Sequence, residues 1–146
     1  MIYTELTKKA LKISFEAHKN QTDKSGLPYV YHPFHLAEQM ETEETAVTAL
    51  LHDVVEDTEI TLEDIKNAGF PESVVSALAL MTHDKSVPYK EYIARIKKDP
   101  VARAVKLADL KHNSDLSRLD EVGEKDLEIL KKYEEAIAFL TDGENK

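Results

Sequence analysis

Residues 49–58 read ALLHDVVEDT, so four groups able to hold a cation or move a proton lie close together: His52, Asp53, Glu56 and Asp57. On a helix, His52 and Glu56 stand one turn apart. Asp53 and Asp57 repeat that spacing one residue on, and the four make a narrow polar strip on neighbouring faces. Val47, Leu50, Leu51, Val54 and Val55 cover much of the remaining circumference, which predicts a central helix. A buried carboxylate is costly unless it is paired or bound to a cation. The pattern therefore favours a metal site. The competing reading is a solvated strip near the helix end, with His52 hydrogen-bonding a neighbouring helix.

Two further stretches carry similar chemistry. In DPVARAVKLADLKHNSD, Lys106, Asp109 and Asn113 recur on one face of a helix whose other positions are mostly apolar. An Asp on such a helix needs a partner, either a metal or Lys106 in a surface pair. In SGLPYVYHPFHLAEQM, His32 precedes Pro33. That places it at the mouth of a helix, from which it can point into a cleft or simply cap or pack. His35 completes an H-x-x-H spacing and reads as a surface or core residue. His18, His83 and His112 show no partner pattern.

Helical spacing dominates the elements that must position these groups. Thr4 is a plausible N-cap for a helix over about 4–20, and 20–31 is a loop by its Gly, Pro and Ser content. Pro33 suits the first turn of a short helix. Thr42 caps a helix running to about 56, with Glu43 and Glu44 at its positive end. Thr61 and Asp64 have capping-box spacing, and Gly69 ends that helix. Further helices are predicted at about 71–82, 89–98, 101–113 and 124–140. The reading is one all-α domain spanning 1–146, a compact helical bundle.

Composition narrows the function. The chain has 146 residues and a formal net charge of −9. Such a surface repels phosphate backbones, which argues against a nucleic-acid polymer as partner. An anionic substrate would need a local cation. Cysteine is absent, which excludes disulfides and thiolate metal sites and fits a reducing cytoplasm. No apolar run is long enough for a transmembrane helix, and the N-terminus does not read as a signal peptide.

The stretches SGLPYVYHP, ALLHDVVEDT and VKLADLKHNSD, in this order, resemble the HD-domain phosphohydrolase superfamily. More narrowly they resemble the hydrolase domain of RelA/SpoT proteins and small stand-alone (p)ppGpp hydrolases, which act in the stringent response. The resemblance covers roughly residues 5–120. It implies that His32, His52, Asp53 and Asp109 bind one divalent metal, with Mn²⁺ favoured and Fe²⁺, Co²⁺, Ni²⁺ or Zn²⁺ as alternatives. It implies that Glu56 and Asp57 act on the hydrolytic water, and that Lys24, Ser25 and Asn113 contact substrate. The implied activity is removal of the 3′-pyrophosphate from guanosine 3′,5′-bis(diphosphate). The short chain leads to the expectation of a hydrolase without synthetase activity.

This chain departs from the family pattern where the substrate is read. Asp23 stands where the family has an Arg that packs on guanine, Leu110 follows KLAD in place of an Arg, and Ser114-Asp115-Leu116 replaces an Arg/Thr-containing stretch. Asp23 offers no cation–π contact and is expected to pair with Lys24. Restoring an arginine at position 23 is then expected to lower KM for the guanosine substrate. Three other functions compete. One is hydrolysis of another phosphorylated metabolite. The second is a non-catalytic nucleotide-binding module, against which the retained Glu56 and Asp57 argue. The third is a purely structural helical domain, against which the ligand candidates argue.

Overall fold

Threonine side chains open three of the helices. The structure is a computed structural model describing residues 1–142. It contains α1 (Glu5–His18), α2 (Tyr31–Glu38), α3 (Glu43–Asp57), α4 (Leu62–Asn67), α5 (Glu72–Met81), α6 (Tyr89–Lys97), α7 (Pro100–Asn113) and α8 (Glu124–Thr141). A 3-10 turn at Leu116–Arg118 separates the last two. Thr4 and Thr7 form a reciprocal capping box at α1, and Thr61 and Asp64 form another at α4. The Thr42 hydroxyl accepts the Thr45 N–H at α3. Each cap satisfies backbone donors that a helix start leaves unpaired. Behind α4, Gly69 has φ 94°, the left-handed conformation of a glycine helix stop.

The all-α expectation holds among the described residues. The loop before α2 is more ordered than its composition suggests. It folds back on itself as a small hairpin, with Asp23 N–H donating to the Leu27 carbonyl at 2.8 Å and Tyr29 N–H to the Gln21 carbonyl at 2.9 Å. Gly26 turns it at φ 81°. The 3-10 turn was not expected, because three residues carry no periodicity to read.

Helix α3 is the hub. It packs against α1, α2, α5 and α7, and every residue from Ala46 to Val54 is buried. Burying Leu50, Leu51 and Val54 contributes roughly 1.5–3 kcal/mol each relative to exposure. That packing holds His52 and Asp53 in the interior, where isolated charges would be disfavoured. Helix α7 crosses α2, α3, α5, α6 and α8, with Val105, Ala108 and Leu110 in the same core. The active-site candidates therefore sit where α2, α3 and α7 converge. No helix among the described residues is long and apolar enough to cross a membrane.

Candidate active site

His32 from α2, His52 and Asp53 from α3, and Asp109 from α7 meet in one buried cluster. His32 Nε2 lies 2.9 Å from Asp109 Oδ1 and 3.8 Å from Asp53 Oδ2. His52 Nε2 lies 3.1 Å from Asp53 Oδ2 and 3.6 Å from Asp109 Oδ1. His32, His52 and Asp109 each offer one ligand atom within 4.8 Å of the others. Backbone and side-chain partners orient the set. His52 Nδ1 donates to the Ala49 carbonyl at 2.7 Å, so Nε2 is the atom turned to the carboxylates. The Tyr29 hydroxyl donates to Asp53 Oδ2 at 2.6 Å. Lys106 Nζ donates to Asp109 Oδ2 at 3.0 Å, and Asn113 Nδ2 to Asp109 Oδ1 at 3.1 Å.

His52 Nε2 is buried and makes no well-aligned hydrogen bond, although Asp53 Oδ2 lies 3.1 Å away. A buried polar atom is normally satisfied, so this nitrogen, facing two carboxylates and a second imidazole, fits a divalent cation. The mixed imidazole–carboxylate donor set suits a first-row transition metal. The second contacts match the outer partners that orient metal ligands.

Electrostatics keep the carboxylates ionised. Burial pushes Asp53 up, but His52 and the Tyr29 hydrogen bond outweigh it and hold the carboxyl at about 2. Burial opposes ionisation of Asp109 as well, yet Lys106, His32 and His52 bring it well below the carboxylate range. His52 is lowered by burial and raised more strongly by Asp53 and Asp109, so its value ends well above the ordinary one. Lys106 and Asp109 do pair, but away from the surface, with side chains 14% and 9% exposed, and the pairing leaves the metal alternative for Asp109 open. Removing either partner would therefore strand a buried charge.

Glu56 and Asp57 lie apart from the buried four, at the exposed C-terminal end of α3. Partial burial and the charge of Asp53 raise both carboxyls above their ordinary values. The polar strip thus divides in two. Its first half is buried among carboxylates and imidazoles, and its second half faces solvent one turn on.

A pocket of about 360 Å³ adjoins the cluster. Lys24, Ser25 and Asn113 all line it, so the expected substrate contacts share one cavity. Tyr29 and Asn113 belong to both places, since each lines the pocket and bonds a carboxylate of the cluster. Two details differ from expectation. Lys24 faces Asp126 at 3.6 Å instead of Asp23. Asp23 Oδ1 accepts the backbone N–H of Ser25 at 2.8 Å and of Leu27 at 3.0 Å. Asp23 is engaged in its own turn, a use for which Asp is favoured in loops.

Three contributors escaped sequence reasoning. Tyr29 had a readable signal, a Tyr three residues before His32, but nothing local ties it to Asp53. His112 shows no partner pattern in the sequence. Its Nδ1 meets His32 Nδ1 at 2.7 Å, and the exposed His35 ring packs on it at 4.4 Å between centroids. Arg118 lines the pocket from the 3-10 turn, two residues past the stretch where the resemblance had shown an arginine missing. His18 packs its ring on Tyr29 at 5.1 Å, and His83 stacks on Tyr92 at 4.3 Å, outside the cluster.

Comparison with known proteins identifies the family. A family model described as HD domain matches residues 10–87, a span that includes His32, His52 and Asp53. The guanosine-3′,5′-bis(diphosphate) 3′-pyrophosphohydrolase of Aquifex aeolicus (strain VF5) is 34% identical over 119 residues, covering 73% of this chain and 17% of the relative. The chain thus spans a small part of the first such relatives. The guanosine-3′,5′-bis(diphosphate) 3′-pyrophosphohydrolase MESH1 of Danio rerio is 34% identical over 129 residues, covering 79% of this chain and 71% of the relative. A solved structure described as a metazoan ortholog of SpoT that hydrolyzes ppGpp superposes with a TM-score of 0.78 at 24% identity, covering 98% of this chain and 89% of the other. That last likeness concerns the fold.

Proposed function

We propose a function on this premise: the chain belongs to the HD-domain family. It is a metal-dependent phosphohydrolase that acts on a small phosphorylated nucleotide, and its substrate is guanosine 3′,5′-bis(diphosphate), hydrolysed at the 3′-pyrophosphate. One observation carries this reading. His52 Nε2, buried and without a well-aligned hydrogen bond, sits 3.1 Å and 3.6 Å from the carboxylates of Asp53 and Asp109, next to a pocket whose lining includes Lys24, Ser25 and Asn113.

The chain's own residues have these roles. His32, His52, Asp53 and Asp109 hold the divalent cation, with Mn²⁺ the favoured ion. When bound, the cation acts as a Lewis acid and makes water nucleophilic near neutral pH. Glu56 orients the attacking water and takes its proton, and its raised carboxyl value brings it closer to the working pH of a general base. Asp57 shares that proton. Lys106 keeps Asp109 ionised, and Asn113 fixes the orientation of that carboxylate at the pocket wall. Lys24 offsets substrate phosphate charge, and Ser25 shapes the loop by donating to the Arg118 carbonyl at 2.6 Å. Water adds across the 3′-O–P bond, so GDP with a free 3′-hydroxyl and pyrophosphate are the products.

The test is incubation of the protein with Mn²⁺ and guanosine 3′,5′-bis(diphosphate), separating GDP from substrate and assaying pyrophosphate. Elemental analysis runs in parallel, with Asp53→Ala as control. Expected are equimolar GDP and pyrophosphate from the wild type, and neither metal nor turnover in Asp53→Ala. Full metal occupancy in Asp53→Ala would overturn the ligand set. Metal without hydrolysis of this nucleotide would overturn the substrate and favour another phosphorylated metabolite.

A further inference from the structure

The pocket wall carries two cations that differ in what they are free to do. Lys24 is 73% exposed at its side chain and faces Asp126. Arg118 is half-buried and makes no close ion pair among the described residues, although its charge acts on Asp115 in the same pocket. Its Nε is buried without a hydrogen-bond partner. Its Nη1 reaches only the ring of His112, at 2.9 Å from Nδ1 and 3.1 Å from Nε2. The backbone beneath it is held, because its carbonyl accepts from Ser25 Oγ at 2.6 Å. A fixed guanidinium with a spare buried donor at a pocket wall is preorganised for an anion, since five N–H groups in a rigid fork match a phosphate edge.

His112 links this guanidinium to the metal ligands. Its Nδ1 lies 2.7 Å from His32 Nδ1. The two ring planes differ by 10° and the centroids lie 4.9 Å apart, which is an edge-to-edge N–H···N bond with the rings side by side. A neutral imidazole has one donor and one acceptor nitrogen. Arg118 Nη1 is nearly equidistant from both nitrogens of His112, so it rests against the ring and lines up with neither lone pair.

We propose that Arg118 is the specificity-determining anion contact of this pocket, its guanidinium donors taken up by a phosphate of the bound nucleotide. It takes up a role that Leu110, Ser114, Asp115 and Leu116 cannot fill, from a different point in the chain. This rests on the phosphohydrolase reading and deepens it by naming the residue that selects a phosphate-bearing ligand.

The experiment uses Mn²⁺-loaded protein with inorganic pyrophosphate as the probe, titrated by calorimetry into wild type, Arg118→Gln and Arg118→Lys. The Mn²⁺ affinity and melting temperature of each are measured alongside. Expected is pyrophosphate affinity at least roughly tenfold weaker in Arg118→Gln, the scale of a lost charge-assisted hydrogen bond. Arg118→Lys should recover part of it, with Mn²⁺ affinity and melting temperature near wild type in both. Unchanged pyrophosphate affinity in Arg118→Gln overturns the proposal. So does a parallel fall in Mn²⁺ affinity, which would make Arg118 a prop for His112, or failure of wild type to bind pyrophosphate. These readouts need no turnover, so absence of hydrolysis would count against the substrate and leave the Arg118 test standing.

Discussion

His52 Nδ1 and the carbonyl oxygen of Ala49, one turn earlier in the same helix, lie 2.7 Å apart. This bond assigns the imidazole hydrogen to Nδ1 and directs Nε2 at Asp53 and Asp109. The tautomer that a metal ligand at this position would need is thus set by helix geometry. In the metal-free protein the same nitrogen is a proton site beside two carboxylates.

The stability of the metal-free protein should therefore depend on pH from both sides. The His52 value is raised well above its ordinary one. Its contribution is complete below the unfolded imidazole value of ~6.5 and is lost as pH rises through the folded value. Asp53 is held at about 2. Its contribution is complete above the unfolded carboxyl value of ~4 and is lost as pH falls toward the folded one. Metal-free protein should melt at its highest temperature between about pH 4 and 6.5. Cation affinity should instead climb with pH, because proton and metal compete for His52. Melting curves in chelator across pH 2–9 check the first, and Mn²⁺ titrations at several pH values the second. A metal-free melting temperature that keeps rising above pH 7 would contradict the assignment.

Tyr29 is expected to matter through Asp53. Its hydroxyl is driven up by burial and by the Asp53 charge, so it remains a donor and holds Oδ2 at 2.6 Å. Tyr29→Phe removes that bond and leaves the ring packing on His18 and His32. Mn²⁺ affinity should fall about 10- to 100-fold, the usual effect of losing an outer-shell partner. Calorimetric titration of Mn²⁺ measures it. An unchanged affinity would make Tyr29 a packing residue.

Glu56→Gln separates chemistry from binding. Gln keeps the size and a hydrogen-bonding oxygen but cannot take a proton. Mn²⁺ should be retained and turnover reduced by roughly 10²–10⁴-fold, the range for losing a general acid or base. Single-turnover kinetics with elemental analysis reads both. Turnover at the wild-type rate would pass the role to Asp57, whose carboxyl is raised by the same causes.

The parts of this site that were legible are those whose physics is local. Thr4, Thr42 and Thr61 mark helix starts because a cap acts within three residues. His52 and Asp53 stood out because a polar pair interrupts an apolar run on one helix. The relations that complete the site join distant positions. His32 meets Asp109 across 77 residues, and Ser25 meets Arg118 across 93. No spacing rule reaches that far. His112 looked unpartnered for the same reason, since its partner His32 lies 80 residues away on α2.

Asp23 shows how a local hydrogen bond can reverse an expectation drawn from resemblance. With Asp23 read as a lost guanine contact that also neutralises Lys24, an arginine there would improve binding. In the structure Oδ1 of Asp23 instead ties down the N–H groups of Ser25 and Leu27, and Lys24 faces Asp126. The loop turns at Gly26 with φ 81°, and its closure sets where Lys24 and Ser25 meet the pocket. An arginine has no acceptor for those two N–H groups, each bond contributing about 0.5–1.5 kcal/mol. A cation–π contact recovers about 0.5–1 kcal/mol at an exposed site, so the loss outweighs the gain. Asp23→Arg should raise KM for guanosine 3′,5′-bis(diphosphate) severalfold and lower the melting temperature. Asp23→Asn, whose amide oxygen can accept both bonds, should leave both close to wild type. Steady-state kinetics and melting curves of the two variants decide it. A lower KM for Asp23→Arg at unchanged melting temperature would return Asp23 to the role of a missing base contact.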